Sequence, residues 1–300
     1  QALFVDKHLR NVSDRYDFDS IRVGIQPFSS DFRGFLFQDS QLGVRLFGTR
    51  ANNVFQYNLA WFRRLEKDTN SGLNDVTQSI RDDDVLAANI YWQDFLKLGL
   101  TSQVTIIHNR NREHGDVEYD KNGFIQRPSS LLEERFSRDY DVTYFGYSAD
   151  GHFDRLNISS SWYYAYGEQE STRLRSEEEK IRAWFTATEL SWDIDWFRPR
   201  LSFLYASGDD DPFDQKAKGF DAIFENPQFA GADTSFWIRQ NVPLIGGGGV
   251  VLSGRNGIVP SLRSSKEQGQ SNFINPGVML IGLGADADLL PQLRLSFNIN

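Results

Sequence analysis

Apolar and polar residues alternate without a break through Leu293-Arg294-Leu295-Ser296-Phe297-Asn298-Ile299-Asn300, and the same two-residue rhythm recurs between turn-like segments along the chain. A period of two belongs to a strand with one apolar and one polar face. Two architectures use such strands with opposite polarity. A soluble sandwich turns the apolar faces toward a core, whereas a membrane barrel turns them outward to lipid.

Composition favours the barrel. The chain has 24 Phe, 11 Tyr and 7 Trp but one Met and no Cys, and 24% of its residues are charged. So many rings in so polar a chain fit strands with aromatic girdles at two membrane interfaces. No stretch reaches the 18 consecutive apolar residues of a spanning helix. Gly277-Val278-Met279-Leu280-Ile281-Gly282-Leu283-Gly284-Ala285 is among the longest such runs. A chain of this kind crosses a membrane only as strands, closed so that every backbone N–H and C=O is paired. Absence of Cys removes disulfides and thiolate metal sites and suits an oxidising compartment. The net charge of -9 argues against nucleic acid as a partner. Beginning at Gln1 without a basic and apolar leader, and stopping within a strand-like segment at Asn300, the sequence reads as a mature excerpt of one barrel domain over 1–300, with some N- and C-terminal strands beyond it.

Ile21, Val23 and Ile25 alternate with Arg22, Gly24 and Gln26, and Val44 and Leu46 flank Arg45. After a turn at Thr49-Arg50-Ala51-Asn52-Asn53 come Phe55, Tyr57, Leu59 and Trp61 on one face. Leu86, Ala88, Ile90 and Trp92 follow; a turn at Asp94 to Lys97 leads to Leu100, Val104 and Ile106. Val142 and Tyr144 precede a turn at Ala149-Asp150-Gly151-His152, then Leu156 to Tyr164 alternate. Trp184 to Trp192 and Leu201 to Tyr205 flank a turn containing Pro199, and Arg182, sharing the parity of Trp184, is expected at the rim. Met279 to Ala287 and the last strand flank Leu290-Pro291-Gln292.

Between these hairpins lie long polar segments, Asp68 to Asp84, Asn109 to Asp139 and a charged one through Glu177-Glu178-Glu179. Short turns on one side and long loops on the other are the layout of an outer-membrane barrel, periplasmic and extracellular respectively. Residues 208–276 read as a loop with its own small packed core around Phe220-Asp221-Ala222-Ile223-Phe224; Gly246 to Gly249 is a flexible hairpin tip or a close backbone approach.

Asp31-Phe32-Arg33-Gly34-Phe35-Leu36-Phe37 with Leu42-Gly43-Val44-Arg45-Leu46-Phe47-Gly48, and Arg263-Ser264-Ser265-Lys266-Glu267-Gln268-Gly269-Gln270-Ser271-Asn272-Phe273-Ile274-Asn275-Pro276-Gly277, resemble sequences of the alginate-export family of Gram-negative outer-membrane proteins. The hairpin-and-loop layout is similar over nearly the whole chain. The resemblance implies a monomeric antiparallel transmembrane barrel, eighteen-stranded in the family's alginate exporter, whose Arg-lined lumen guides an anionic polysaccharide outward. No site residue is carried over from the family.

Strand parity alone nominates lumen residues: Arg22, Arg45, Arg64, Arg200 and Arg294, interspersed with Glu189, Asp286 and Asp288. Rings of Arg attract and pass carboxylates or phosphates. The alternative for each is a salt bridge that stiffens the wall. The acidic runs Asp82-Asp83-Asp84, Glu177-Glu178-Glu179 and Asp209-Asp210-Asp211 lack the calcium-loop pattern and read as solvated loop tips. His8, His108, His114 and His152 show no zinc-ligand spacing, and no GxSxG motif surrounds a Ser. The sequence therefore predicts no enzyme, no metal and no cofactor.

The expected function is an outer-membrane channel passing a polar, anionic solute or polysaccharide, in contact with lipid and lipopolysaccharide, with periplasmic export factors as candidate partners. Nutrient uptake is the close variant. A plugged structural or adhesive barrel gripping a surface partner through its loops is the rival, and a soluble sandwich the third reading.

Overall fold

The structure is a computed structural model that describes residues 2–68, 73–114, 116, 119, 123, 138–170, 177–211, 213–231 and 271–300, and the backbone of 241–243 and 249–251. Every element is a strand: β1 Leu3–Asn11, β2 Phe18–Ser29, β3 Gln38–Arg50, β4 Phe55–Leu65, β5 Ile80–Trp92, β6 Leu100–Asn111, β7 Tyr140–Phe153, β8 Leu156–Gln169, β9 Glu179–Trp192, β10 Phe197–Ala206, β11 Lys216–Ala217, β12 Asn241–Pro243, β13 Gly249–Val251, β14 Val278–Leu290 and β15 Leu293–Ile299. β12 and β13 form a separate pair; the others make one 13-stranded sheet in the order β1 to β10, then β14 and β15, with the short β11 parallel to β9. All other pairings in that sheet are antiparallel between neighbours. This fits the β-barrel class. β1 and β15 are not paired with each other, so the sheet is open along that seam.

The alternation fixes two faces. Leu59, Trp61, Leu86, Ile90, Trp92, Val104, Ile106, Phe145, Trp162, Trp184, Trp192, Leu201, Phe203, Met279, Ile281, Leu295 and Phe297 are exposed on the outer face. Their strand neighbours Ala60, Phe62, Val85, Ala87, Ile107, Tyr144, Ala165, Ala183, Phe185 and Leu204 are buried on the inner one. The outer face thus exposes large apolar side chains, which a soluble sandwich would bury, while much of the inner face is apolar as well.

The outer apolar band has edges. At the long-loop end a register row carries charges strand by strand: Arg63 opposite Asp84, Asp84 opposite Arg110, Arg110 opposite Asp141, Asp141 opposite Glu168 and Glu168 opposite Lys180. One step toward the band, Arg182 lies over the Tyr166 ring at 3.6 Å, at the rim where parity put it. At the turn end rings gather instead, with Phe55 5.2 Å from Trp92, Trp92 4.8 Å from Phe95, and Trp196 5.8 Å from Phe197.

Four local expectations are corrected. Val142 and Tyr144, expected on the apolar outer face, are buried on the inner one, and Phe145 and Tyr147 take the outer side of β7. Ala149-Asp150-Gly151-His152 is not a turn but the end of β7, which turns only at Asp154-Arg155. Gly151 (φ 150°) allows the backbone of Gly99 and Leu100 to approach, since a Cβ there would stand 2.1 Å from the Gly99 carbonyl oxygen. Pro199 lies inside β10 opposite Ala285 rather than in the turn. Asp82-Asp83-Asp84 is not a loop tip but part of β5, and parity splits it: Asp82 and Asp84 pair with Arg63 outside, while Asp83 is fully buried inside.

Glycine shapes the inner face at Gly146, directly opposite Tyr163. A Cβ on Gly146 would meet the Tyr163 ring at 2.4 Å, so the bare backbone lets that ring lie flat across it. Gly146→Val is expected to destabilise the protein by about 1–3 kcal/mol through overpacking. Thermal unfolding checks this, and an unchanged melting temperature would contradict it.

Candidate functional site

The inner face is covered by a ribbon made of two connections. Residues 30–37, between β2 and β3, and 219–230, after β10, run side by side. Ile223 and Phe224 donate backbone hydrogen bonds to the Leu36 carbonyl, Asn226 to Gly34, and Gln228 to Arg33. The apolar residues explain why they fold inward: Phe35, Leu36, Phe37, Phe220, Ile223, Phe224 and Phe229 are all buried. Phe35 packs 5.1 Å from Phe185 of β9 and Phe37 5.9 Å from Phe62 of β4. Residues 220–224 are therefore no separate loop core; they complete one core with the strands. Asn275 ties in the next segment, its Nδ2 donating to the carbonyls of Phe220 (2.9 Å) and Asn272 (2.8 Å).

Asp31 organises the ribbon. Its carboxylate accepts the backbone N–H groups of Arg33, Gly34, Phe35 and Leu36 at 2.6–3.3 Å, and the Tyr163 hydroxyl donates to it at 2.8 Å. A buried carboxylate surrounded by donors fixes the loop that supplies them. The turn leaves Arg33 free to reach the opposite wall, where its Nε donates to Ser159 Oγ (2.8 Å) and its guanidinium approaches Glu189 at 3.5 Å. Tyr144 Oη donates to the Asp221 carbonyl at 2.9 Å, and Gln103 Nε2 to the Ser30 carbonyl at 2.7 Å. One ribbon thus touches β6, β7, β8 and β9.

The six lumen candidates all project from the inner parity, yet the structure gives them different partners. Arg22 is clamped on Asp6 of β1, with Nε–Oδ1 2.6 Å and a second bond of 2.7 Å. Arg64, 1% exposed, pairs with Asp83 at 2.8 Å in a buried set in which Arg81 also bonds Asp83 and Glu113. Arg200 donates to Asn298 at 3.0 Å and lies 3.6 Å from Asp286. Arg294 pairs with Asp288 at 2.6 Å near the open seam. Glu189 accepts from Ser202 Oγ (2.8 Å) and from the Ala230 N–H (3.1 Å), which makes it a fastening for the ribbon. Arg45 differs. No carboxylate lies within salt-bridge distance of it among the described residues, and its Nε has no hydrogen-bond partner.

Two cavities flank the ribbon. One, of about 630 Å³, is lined by Arg45, Asn58, Tyr91, Gln38, the Lys67–Asp39 pair and the ribbon residues Phe224 to Asn226. The other, of about 350 Å³, opens among Arg33, His152, Ser159, Glu189, Arg198 and Arg200. In the adjoining β9–β10 turn the Asn157 amide (3.1 Å) and the Arg198 guanidinium hold the Asp193 carboxyl below the ordinary carboxylate range.

Sequence reasoning missed the ribbon and the apolar inner wall. The signal was present where alternation lapses into apolar pairs, Trp61-Phe62, Val85-Leu86, Ile106-Ile107, Trp184-Phe185 and Phe203-Leu204, since a strand buried on both faces reads as a continuous apolar run. Phe35-Leu36-Phe37 in a connection carried the same message. Of the quoted resemblance segments, residues 263–270 lie outside the described residues, as do Gly246 to Gly248 and most of the loop from Asn109 to Asp139. No group of acidic and histidine side chains able to hold a metal occurs among the described residues. Compared with protein-family models and with curated proteins, the chain matches none.

Removing one partner of a buried pair strands the other charge, at about 3–5 kcal/mol. Arg64→Ala should therefore lower the melting temperature by leaving the buried Asp83 and Glu113 to share the Arg81 guanidinium, while Arg294→Ala, at an exposed pair, should leave it unchanged. Equal effects in thermal unfolding would contradict this division.

Proposed function

We propose that the protein is an outer-membrane β-barrel channel for a polar, anionic solute, narrowed by the ribbon folded inside it. The observation that carries the membrane part is the outer apolar band bounded by rings at one edge and charges at the other. On β8 the band runs from Leu156 to Tyr166. Ten steps of about 3.3 Å, tilted by about 40°, give a height of about 25 Å, that of the lipid-facing belt of outer-membrane barrels. Burying such a surface in lipid satisfies side chains that water would penalise.

The anion part rests on the inward guanidinium groups. Arg22, Arg45 and Arg200 reach the interior, and with Arg22 held by Asp6 and Arg200 by Asn298 and Asp286, Arg45 is the one of the three without a salt-bridge partner among the described residues. The resemblance to alginate-export proteins makes an anionic polysaccharide the polymeric candidate. The ribbon favours a smaller solute. It also favours the second reading, a plugged structural or adhesive barrel, because a ribbon fixed at Asp31, Arg33 and Glu189 closes much of the interior.

Planar-bilayer recording separates the two. A channel gives anion-selective conductance that Arg45→Glu weakens and that rises when residues 219–230 are replaced by a short Gly-Ser link. A structural barrel stays closed with the ribbon in place. Solubility of the protein without detergent would overturn both, and brominated lipids should quench Trp61, Trp162 and Trp184 strongly.

A further inference from the structure

We propose that the cavity in front of Arg45 is a binding site for one small carboxylate solute, a hydroxy-acid or sugar-acid monoanion, rather than a length of open bore. The inference rests on the channel reading for its biological use but on separate observations for its chemistry. Three of them converge.

The first is charge. Arg22 and Arg45 face each other across β2 and β3, an arrangement in which like charges repel. Asp6 makes its ion pair with Arg22 and reaches Arg45 only through longer-range attraction. Of the other charged groups lining the cavity, Lys67 and Asp39 pair at 2.7 Å, and Glu225, 5% exposed, is engaged within the protein. Arg45 is left as the lining cation with no carboxylate within salt-bridge distance among the described residues, although Asp39 and Glu225 equal Arg45 and Lys67 in number. One carboxylate answers that single guanidinium; the second charge of a dianion would be turned toward Asp39 and Glu225.

The second is geometry. The Arg45 guanidinium carbon sits 4.7 Å from the Phe47 ring centroid, which fixes the plane of the fork. A fixed fork is suited to the two oxygens of a carboxylate. Around it the inner wall supplies Asn58 and Tyr91, and the loop side Gln38, so that amide and phenol groups surround a polyhydroxylated body. Phe32 packs edge-on to Tyr91 at 5.7 Å and holds that ring in place.

The third is size. A volume of about 630 Å³ falls within the roughly 300–1,000 Å³ of small-molecule sites. Phe224, Glu225 and Asn226 of the ribbon form one of its walls, so a ligand there ends against protein instead of threading past Arg45.

The test is equilibrium binding in detergent, which requires no conductance. Purified protein is titrated calorimetrically with gluconate and galacturonate, and with glucose and inorganic phosphate as the uncharged and the carboxylate-free probes. Saturable one-to-one binding of a carboxylate, absent for glucose and weaker for phosphate, is the expected result. Arg45→Gln should weaken it about tenfold or more, the value of a charge-assisted hydrogen bond. Arg45→Lys should recover part, since it restores the charge without the fork, and Tyr91→Phe should weaken binding less than Arg45→Gln. Arg182→Gln, on the outer face, should leave it unchanged. No carboxylate stands to be orphaned when Arg45 is replaced, so the variants should fold, and their melting temperatures verify it. Equal binding of glucose and gluconate, tighter binding of phosphate, or an unaffected Arg45→Gln variant overturns the proposal. Conductance without carboxylate binding removes this site and spares the channel; binding to a closed barrel removes the channel and spares the site.

Discussion

Strand parity is the constraint on which the rest depends. Because side chains alternate with a period of two, a slip of one residue in any pairing would carry every Trp of that strand inside and every buried charge outside. The long unbroken registers, twelve residues deep between β6 and β7 and fourteen between β7 and β8, make such a slip costly along the whole strand. Where the pairing does shift, at His8/Arg10, Arg63/Leu65 and Asp288/Leu290, it shifts close to strand ends, so parity in the middle is preserved.

Parity also explains why a ribbon is needed. The inner faces of β4 to β10 bear Phe62, Val85, Ile107, Val142, Ile181, Phe185 and Leu204, a surface that water wets at a cost of about 25 cal/mol per Å². Residues 30–37 and 219–230 cover it with rings. Covering it with backbone demands acceptors and donors, and the wall provides them through Tyr144, Gln103 and Glu189. Asp31 meets the tightest part of that demand, because its two oxygens take up the N–H groups of a turn that has no strand partner.

The outer face was legible in the sequence on most strands, but not on β7, where Val142 and Tyr144, read as the apolar face, are buried inside and Phe145 and Tyr147 stand outside. Leu86, Ile90, Trp92, Trp162, Trp184 and Met279 each stand on the side that simple alternation assigned. Turns were read less well, for a physical reason: Gly151 and Pro199 are turn formers by propensity, yet one serves a close approach between strands and the other sits at a strand position on the outer face. An acidic run misled in the same way, since a run of like charges is split by parity once it enters a strand, as Asp83 separates from Asp82 and Asp84. The interior was the least legible part. Whether an inward Arg meets Asp6, Asp83 or nothing depends on pairings between segments far apart in sequence, and parity specifies direction without partner.

That difference decides what each Arg can do. Two guanidinium groups in one register row, Arg22 and Arg45, come from the same strand chemistry and face the same interior, but only Arg22 has a carboxylate across the next strand. A cation with a fixed counterion stiffens a wall; its charge is already spent on the Asp6 oxygens, and a passing solute gains little from it. A cation held over a ring with no carboxylate of the described residues within salt-bridge distance keeps its charge-assisted hydrogen bonds for a solute. The inner row therefore separates into structure and site at the boundary between β2 and β3, and the absence of one acidic residue opposite Arg45, where β4 presents Ala60, is what places that boundary.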